Sequence, residues 1–186
     1  GLREQPIRIA YLPLMVVDYP LPEVVNGGFE EGWTGWRHGG ELRQAITTTY
    51  RSAGQYAALL GDPSYPCNGV PRGSGWVEQT IYVPHSETRR LAFRFKLFTH
   101  DTNPTQDEKY DRFDVLLDGT SVFQTMRTNH VYGCAIQQRA EFEWQAQTLE
   151  LDAYRGRWIT VRFRVQNEPD RWYNTWVYVD AVRLID

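Results

Sequence analysis

The sequence predicts an all-β protein, a sandwich of two antiparallel sheets, on three observations. Apolar residues recur with period two along most of the chain, while helical spacing is almost absent. Aromatic residues make up 14% of the chain, with 15 glycines and 10 prolines, a balance that fills a sandwich with rings and punctuates it with turns. Between two alternating runs stands Asp118-Gly119, which supplies the positive φ that a tight hairpin needs.

The first strand is read over Val24 to Phe29, where Gly27-Gly28 lets the backbone bend beside an extended apolar stretch. Strands follow at Leu42 to Tyr50, Gln55 to Leu60 and Trp76 to Val83. Leu91 to Leu97 alternates large apolar with small or charged residues. The Asp118-Gly119 hairpin joins Arg112–Leu117 to a strand running from Ser121 to Arg127. Phe142 to Leu151 precedes Trp158 to Val165, which sets Ile159, Val161, Phe163 and Val165 on one face. The last strand, Thr175 to Leu184, carries Asp180 among apolar neighbours as the first carries Glu30, and the two ends are expected to meet. Ten strands at these spacings make a two-sheet sandwich.

At 186 residues the chain suffices for one domain that buries about 70% of its unfolded surface. Residues 1–22 read as an extended arm or linker remnant and residues 23–186 as the sandwich. The apolar run Ile7 to Val17 is too short to span a membrane, is broken by Pro13 and lacks the small-residue cleavage pattern of a signal peptide. Tyr11-Leu12-Pro13-Leu14 is similar to connectors in secreted bacterial proteins. A net charge of -3 offers no basic field for nucleic acid or acidic membranes. Positive charge is carried almost wholly by arginine, with lysine only at Lys96 and Lys109. Arginine's planar fork suits carboxylates and sugar hydroxyls, provided the arginines cluster in space. Cys67 and Cys134 lie in Gly-, Pro-, Asn- and Tyr-rich segments outside the apolar runs. A disulfide between them would stabilise the fold by about 4 kcal/mol and imply an oxidising, extracellular setting; two free thiols are the other reading.

Several dispersed motifs carry a family resemblance. Asn26-Gly27-Gly28-Phe29-Glu30 with Gly35-Trp36, Gly54-Gln55-Tyr56, Trp76-Val77-Glu78-Gln79-Thr80 and the closing Tyr178-Val179-Asp180-Ala181-Val182 together resemble the jelly-roll carbohydrate-binding modules of families four and nine, from about Glu23 to Asp186. The resemblance implies a jelly-roll order, with the strands at Trp76, Arg112, Ser121 and Trp158 in one sheet. Those at Gln55, Leu91, Phe142 and Thr175 form the other, with the first strand beside it. On the first sheet Val77, Gln79, Ile81, Val83, Phe113, Val115 and Leu117 then face inward. Its outer face shows Trp76, Glu78, Thr80, Tyr82, Asp114, Leu116, Trp158, Thr160, Arg162 and Arg164. In the resembling modules this face often holds the glycan. The resemblance also implies a structural calcium ion held by Glu30 and Asp180, with carbonyls near Ser52, Ala53 and Gly54; hard oxygens of this kind are what calcium takes. Otherwise Glu30 caps a turn and Asp180 pairs with an arginine. The closing motif departs from the family in that Ala181 stands where a second acid is usual.

Sugars bind by stacking C–H faces on rings and by hydrogen bonds to planar polar groups. Trp76, Tyr82 and Trp158 beside Glu78, Asp114, Arg162 and Arg164 supply both, although the same residues also suit an ordinary face of cross-strand ion pairs. A loop rim bearing Trp172, Tyr173 and Trp176, with His130, Val131 and Tyr132 near Cys134, is a further candidate. Trp33, Trp36 and Trp144 are assigned to packing. His100-Asp101 with Asp107, Glu108, Asp111 and Asp114 holds enough carboxylate for acid–base work, but in a polar loop, and no nucleophile, zinc or phosphate-loop motif occurs. The reading is therefore a non-catalytic, secreted module that binds carbohydrate, such as a polysaccharide, beside a larger partner. The alternative is an extracellular adhesion or assembly module. A grooved sheet with spaced rings favours the first and a broad apolar patch the second.

Overall fold

The computed structural model describes residues 24–66, 69–85, 89–101, 111–125, 135–167 and 173–186. The arm, Cys67, Cys134, the His130–Tyr132 segment, Asp107, Glu108 and Trp172 lie outside the described residues. Eleven strands are seen among those described: β1 (Arg37–Gly40), β2 (Gln44–Thr47), β3 (Ala57–Leu60), β4 (Gly73–Val83), β5 (Arg90–Thr99), β6 (Arg112–Leu117), β7 (Thr120–Thr125), β8 (Ala140–Glu141), β9 (Gln145–Glu150), β10 (Arg157–Asn167) and β11 (Thr175–Ile185). Two short 3₁₀ turns, Ile136–Gln138 and Asp152–Tyr154, complete the inventory, and no helix among the described residues is long and apolar enough to cross a membrane.

One sheet runs β1-β4-β10-β6-β7, and the other β2-β3-β11-β5-β8 with β9 also paired to β5; the pairings are antiparallel. For the eight strands assigned to a sheet from Gln55 onward, the observed division is the expected one. Alternation decides the faces of the first sheet. Val77, Ile81 and Val83 of β4, Phe113, Val115 and Leu117 of β6, and Ile159, Val161, Phe163 and Val165 of β10 are all buried in one core. Rings knit the layers together: Phe93 lies 5.0 Å from Phe163, and Phe95 lies 5.0 Å from Phe113. A fully buried side chain of this size contributes roughly 1.5–3 kcal/mol. Gln79 also faces inward, where its amide accepts from the Val25 amide N–H (2.7 Å) and donates to the Val25 carbonyl (2.9 Å).

The structure corrects the first expected strand. Residues 24–36 form successive turns, with positive φ at Asn26 and Phe29. Asn26 causes this: its side chain donates to the Gly32 and Thr34 carbonyls and accepts from the Glu31 N–H, so the backbone closes locally before it can join a ladder. Phe29 and Trp36 then pack into the core, their rings tilted by 32° with centres 5.0 Å apart. The two ends nevertheless meet, since Val182 donates its N–H to the Gly27 carbonyl at 2.9 Å. A Cβ on Gly27 would lie 1.8 Å from the Val182 oxygen, so only glycine allows the approach. A second correction concerns Trp176, which belongs to β11 and is buried, not on a loop rim. Trp36 is in the core, with Trp33 and Trp144 partly buried against it and its satellite.

Candidate functional site

On the outer face of the first sheet, register gathers the residues that the alternation put there. Arg162 lies opposite Glu78, Arg164 opposite Trp76 and Asp114, and Trp158 opposite Tyr82. The charges satisfy one another. Arg164 grips Asp114 with two bonds, Nε to Oδ1 at 2.9 Å and Nη2 to Oδ2 at 2.5 Å, while Arg162 and Arg37 take the two Glu78 oxygens, Nε to Oε2 at 2.7 Å and Nη2 to Oε1 at 2.6 Å. Although they point away from the core, Asp114 and Glu78 are buried at 0% and 3% exposure, because the arginine stems lie over them. Trp76 carries the Arg162 guanidinium at 4.3 Å from its ring centre, and it rests against Gly39, where a Cβ would come within 2.8 Å. That leaves Trp158, 52% exposed, and Tyr82 beside it at 5.5 Å as the accessible ring pair of this face.

A second cluster sits where the chain ends converge. The Glu30 carboxylate accepts N–H bonds from Gln55 and Tyr56, and Asp180 Oδ2 accepts from Ser52 (2.7 Å) and Ala53 (3.0 Å), so both acids face the single turn 52–56. Asp180 Oδ1 takes the Ala181 N–H at 2.6 Å, at the β-bulge between Asp180 and Arg183. Burial, offset in part by these N–H donors and reinforced by the Glu30 charge, pushes the Asp180 carboxyl above its ordinary value. Gly54, at φ +59°, keeps the cradle open, since a Cβ there would stand 2.2 Å from Glu30 Oε1.

An aromatic concavity lies on the opposite sheet, and of the residues expected at a site only Trp176 belongs to it. Leu59 of β3, Phe98 of β5, and Trp176 and Tyr178 of β11 form a small satellite core on the outer face, with Ala45, Tyr50 and Trp144 packed against it. Phe98 and Trp176 stack nearly parallel, 3° apart at 5.3 Å. Tyr50 forms a wall, 4.9 Å from Phe98 and 5.1 Å from Tyr178. The cavity above this floor measures about 330 Å³, within the range of small-ligand sites, and its rim brings Arg43, Thr47, Thr49, Pro63 and Arg139 together. Arg139 stands over both Phe98 and Trp176, at 5.4 and 5.9 Å. Burial, then the neighbouring Tyr50, raise the Tyr178 hydroxyl to about 12, so it stays protonated and able to donate at any physiological pH.

His100 and Asp101 are buried at the end of β5 and do not reach this cavity's lining. The His100 ring faces the Ala135 carbonyl through Nε2 at 3.1 Å, and burial lowers its pKa below 6.5. A depressed base binds its proton less well folded than unfolded. Stability is therefore fully present above about 6.5 and is lost as pH falls through the lowered folded value. Denaturant titrations between about pH 7.5 and pH 5 are expected to show this loss, with a shallower slope in His100→Gln; equal slopes would exclude His100 as its source. Asp111 and Asp114 are buried at the start of β6, and Asp114 is committed to Arg164, so these two do not form a solvated acidic loop. Tyr173 is half-buried, with a positive φ.

No family model matches the sequence, and no curated protein sequence matches it either. Solved structures do share its fold. The K3 cleaved adhesin domain of Lys-gingipain from Porphyromonas gingivalis is 17% identical, the match covering 88% of this chain and 99% of that one with a TM-score of 0.56. The K2 domain of the same protein is 15% identical, covering 86% and 96%, with a TM-score of 0.54. The carbohydrate-binding module TmCBM61, solved in complex with β-1,4-galactotriose, is 16% identical, covering 88% and 98%, with a TM-score of 0.52. At such identities the likeness is one of fold and singles out neither family four nor family nine. The β-sandwich is the one on which carbohydrate-binding modules and adhesin domains are both built.

Proposed function

We propose that the chain is a non-catalytic carbohydrate-binding-like module, exported and carried beside a larger partner, whose ligand enters the cavity on the β2-β3-β11-β5 face. One observation carries this reading: a preformed concavity with a floor of packed rings and a rim of hydroxyl and guanidinium groups, set on a rigid sheet. That is the chemistry sugars require, apolar C–H faces against rings and hydroxyls against fixed polar groups. The large hydrophobic residues exposed among those described are Val25, Val122 and Trp158, too few for the broad apolar patch of a protein-docking face. Fold neighbours of both kinds exist, and the surface chemistry is what favours saccharide over protein.

The proposal includes a structural calcium ion. Glu30 and Asp180 would hold it, with oxygens of the turn that contains Ser52 and Gly54. The donor set is hard oxygen throughout, and Gly54 leaves the space that a Cβ would fill. Its part is to fasten the chain ends, with no role in chemistry.

A glycan array followed by calorimetry tests the binding reading. A saccharide bound by the wild type should lose about tenfold or more in affinity to Tyr50→Ala and keep its affinity for Trp158→Ala. The opposite pattern would place the ligand on the first sheet. No binding to any saccharide would remove the reading altogether.

A further inference from the structure

We infer that the cavity on the second sheet selects a saccharide that carries an anionic group, with Arg43 as the charge that recognises it. This inference rests on the proposed binding role of the same cavity and adds the ligand's charge.

The lining is electrically one-sided. Among the described residues it contains two arginines and no carboxylate. Among the described residues, Glu141 is occupied elsewhere and Asp62 is only loosely engaged. Glu141 pairs with buried Lys96 at 2.9 Å, and Lys96 also donates to the Phe142 carbonyl at 3.0 Å. Asp62 approaches Arg43 only to 3.7 Å, beyond hydrogen-bond length, and the Arg43 side chain is 53% exposed. Arg43 is therefore available to a better acceptor than the one it has, and guanidinium forks bind planar oxyanions with two parallel bonds. Both arginines make themselves felt at the cavity floor, where each pulls the Tyr178 hydroxyl back toward its ordinary value against the effect of burial. This positive potential belongs to a chain whose net charge is -3, so it is a local feature and not a consequence of overall composition. Thr47, Thr49 and Tyr50 on the rim leave hydroxyls for the neutral positions of a sugar ring. An uncharged saccharide offers the Arg43 guanidinium only neutral hydroxyl acceptors, whose bonds are weaker than those of an ionised oxyanion.

Matched pairs of probes test this. One arm uses oligogalacturonate and oligoalginate against their carboxyl-reduced counterparts; the other uses a sulfated oligosaccharide against its desulfated form. Calorimetry should find binding in at least one arm, weakened about tenfold or more when the charge is removed. The same loss is expected in Arg43→Gln with the charged probe, whereas Arg43→Lys, which keeps charge without the fork, should lose less. Raising the salt should also weaken the interaction. Neutral members bound as well as charged ones, with Tyr50→Ala abolishing both, would overturn the charge assignment and leave the binding role intact. Charged binding that ignores Arg43→Gln would overturn the assignment of Arg43. Silence from every saccharide, charged or neutral, would end both readings.

Discussion

Arg164→Met is expected to lower the unfolding free energy by about 3–5 kcal/mol, and the melting temperature by about 10 °C. Asp114 causes the loss. Its carboxylate has no solvent exposure and depends on two bonds from Arg164; the remaining cation, Arg112, has its Nε 3.8 Å away. Methionine keeps most of the stem and removes the charge, so the acid is left buried and largely uncompensated. Removing both charges in Asp114→Leu/Arg164→Met should recover most of the stability, because the desolvation cost disappears with the pair. Arg162→Met should cost about 1 kcal/mol, since Arg37 still holds Glu78 at 2.6 Å. Denaturant unfolding of these variants gives the comparison. A loss below about 1 kcal/mol in Arg164→Met would mean that Asp114 is better solvated than its burial indicates.

The same face shows what could and could not be read from the chain. Alternation fixed which side of β4, β6 and β10 each residue occupies, because each strand has one aliphatic or aromatic row and one polar row. It did not reveal that the outward acids would be buried, for that depends on which arginines stand opposite across two ladders. On β11 both rows of Trp176–Val179 are apolar, while on β5 the outward row is Ala92, Arg94 and Lys96 before it ends in Phe98. Lys96-Leu97-Phe98 and Trp176-Val177-Tyr178-Val179 alternate ring or cation with aliphatic residue, a weaker signal that escaped the polar–apolar test. Apart from Trp176, read as a loop residue, that signal was the pointer to the cavity floor. The rest of the lining comes mainly from β2 and its flanks, Arg43 to Tyr50, and from Arg139, segments far apart in sequence that the fold brings together. The strand β1, Arg37-His38-Gly39-Gly40, has no strand propensity at all. It exists through its partner: Arg37 reaches Glu78, and Gly40 passes so close to β4 that a Cβ would lie 2.0 Å from the Ser74 oxygen. Val24–Phe29 failed as a strand for the opposite reason, a local asparagine network that competes with sheet pairing.

Calcium is expected to raise the stability of the wild type by about 2.7 kcal/mol when its free concentration is about a hundred times the dissociation constant, and a chelator should remove that increment. Glu30→Gln separates this from ordinary hydrogen bonding. With its amide oxygen in the Oε1 position the side chain can still accept from Gln55 and Tyr56, while the second Gln55 contact, at Oε2, and the charge that opposes Asp180 are gone. In chelator the variant should therefore match or exceed the wild type, and in calcium it should gain little. Gly54→Ala addresses the cradle itself. Its positive φ and a Cβ 2.2 Å from the Glu30 oxygen should cost about 2–3 kcal/mol in chelator and abolish the response to calcium as well, since the new methyl displaces the carboxylate. Equal melting temperatures for the wild type in calcium and in chelator would leave Glu30 and Asp180 as acceptors for the turn 52–56 alone, joining the chain ends through backbone N–H groups without an ion.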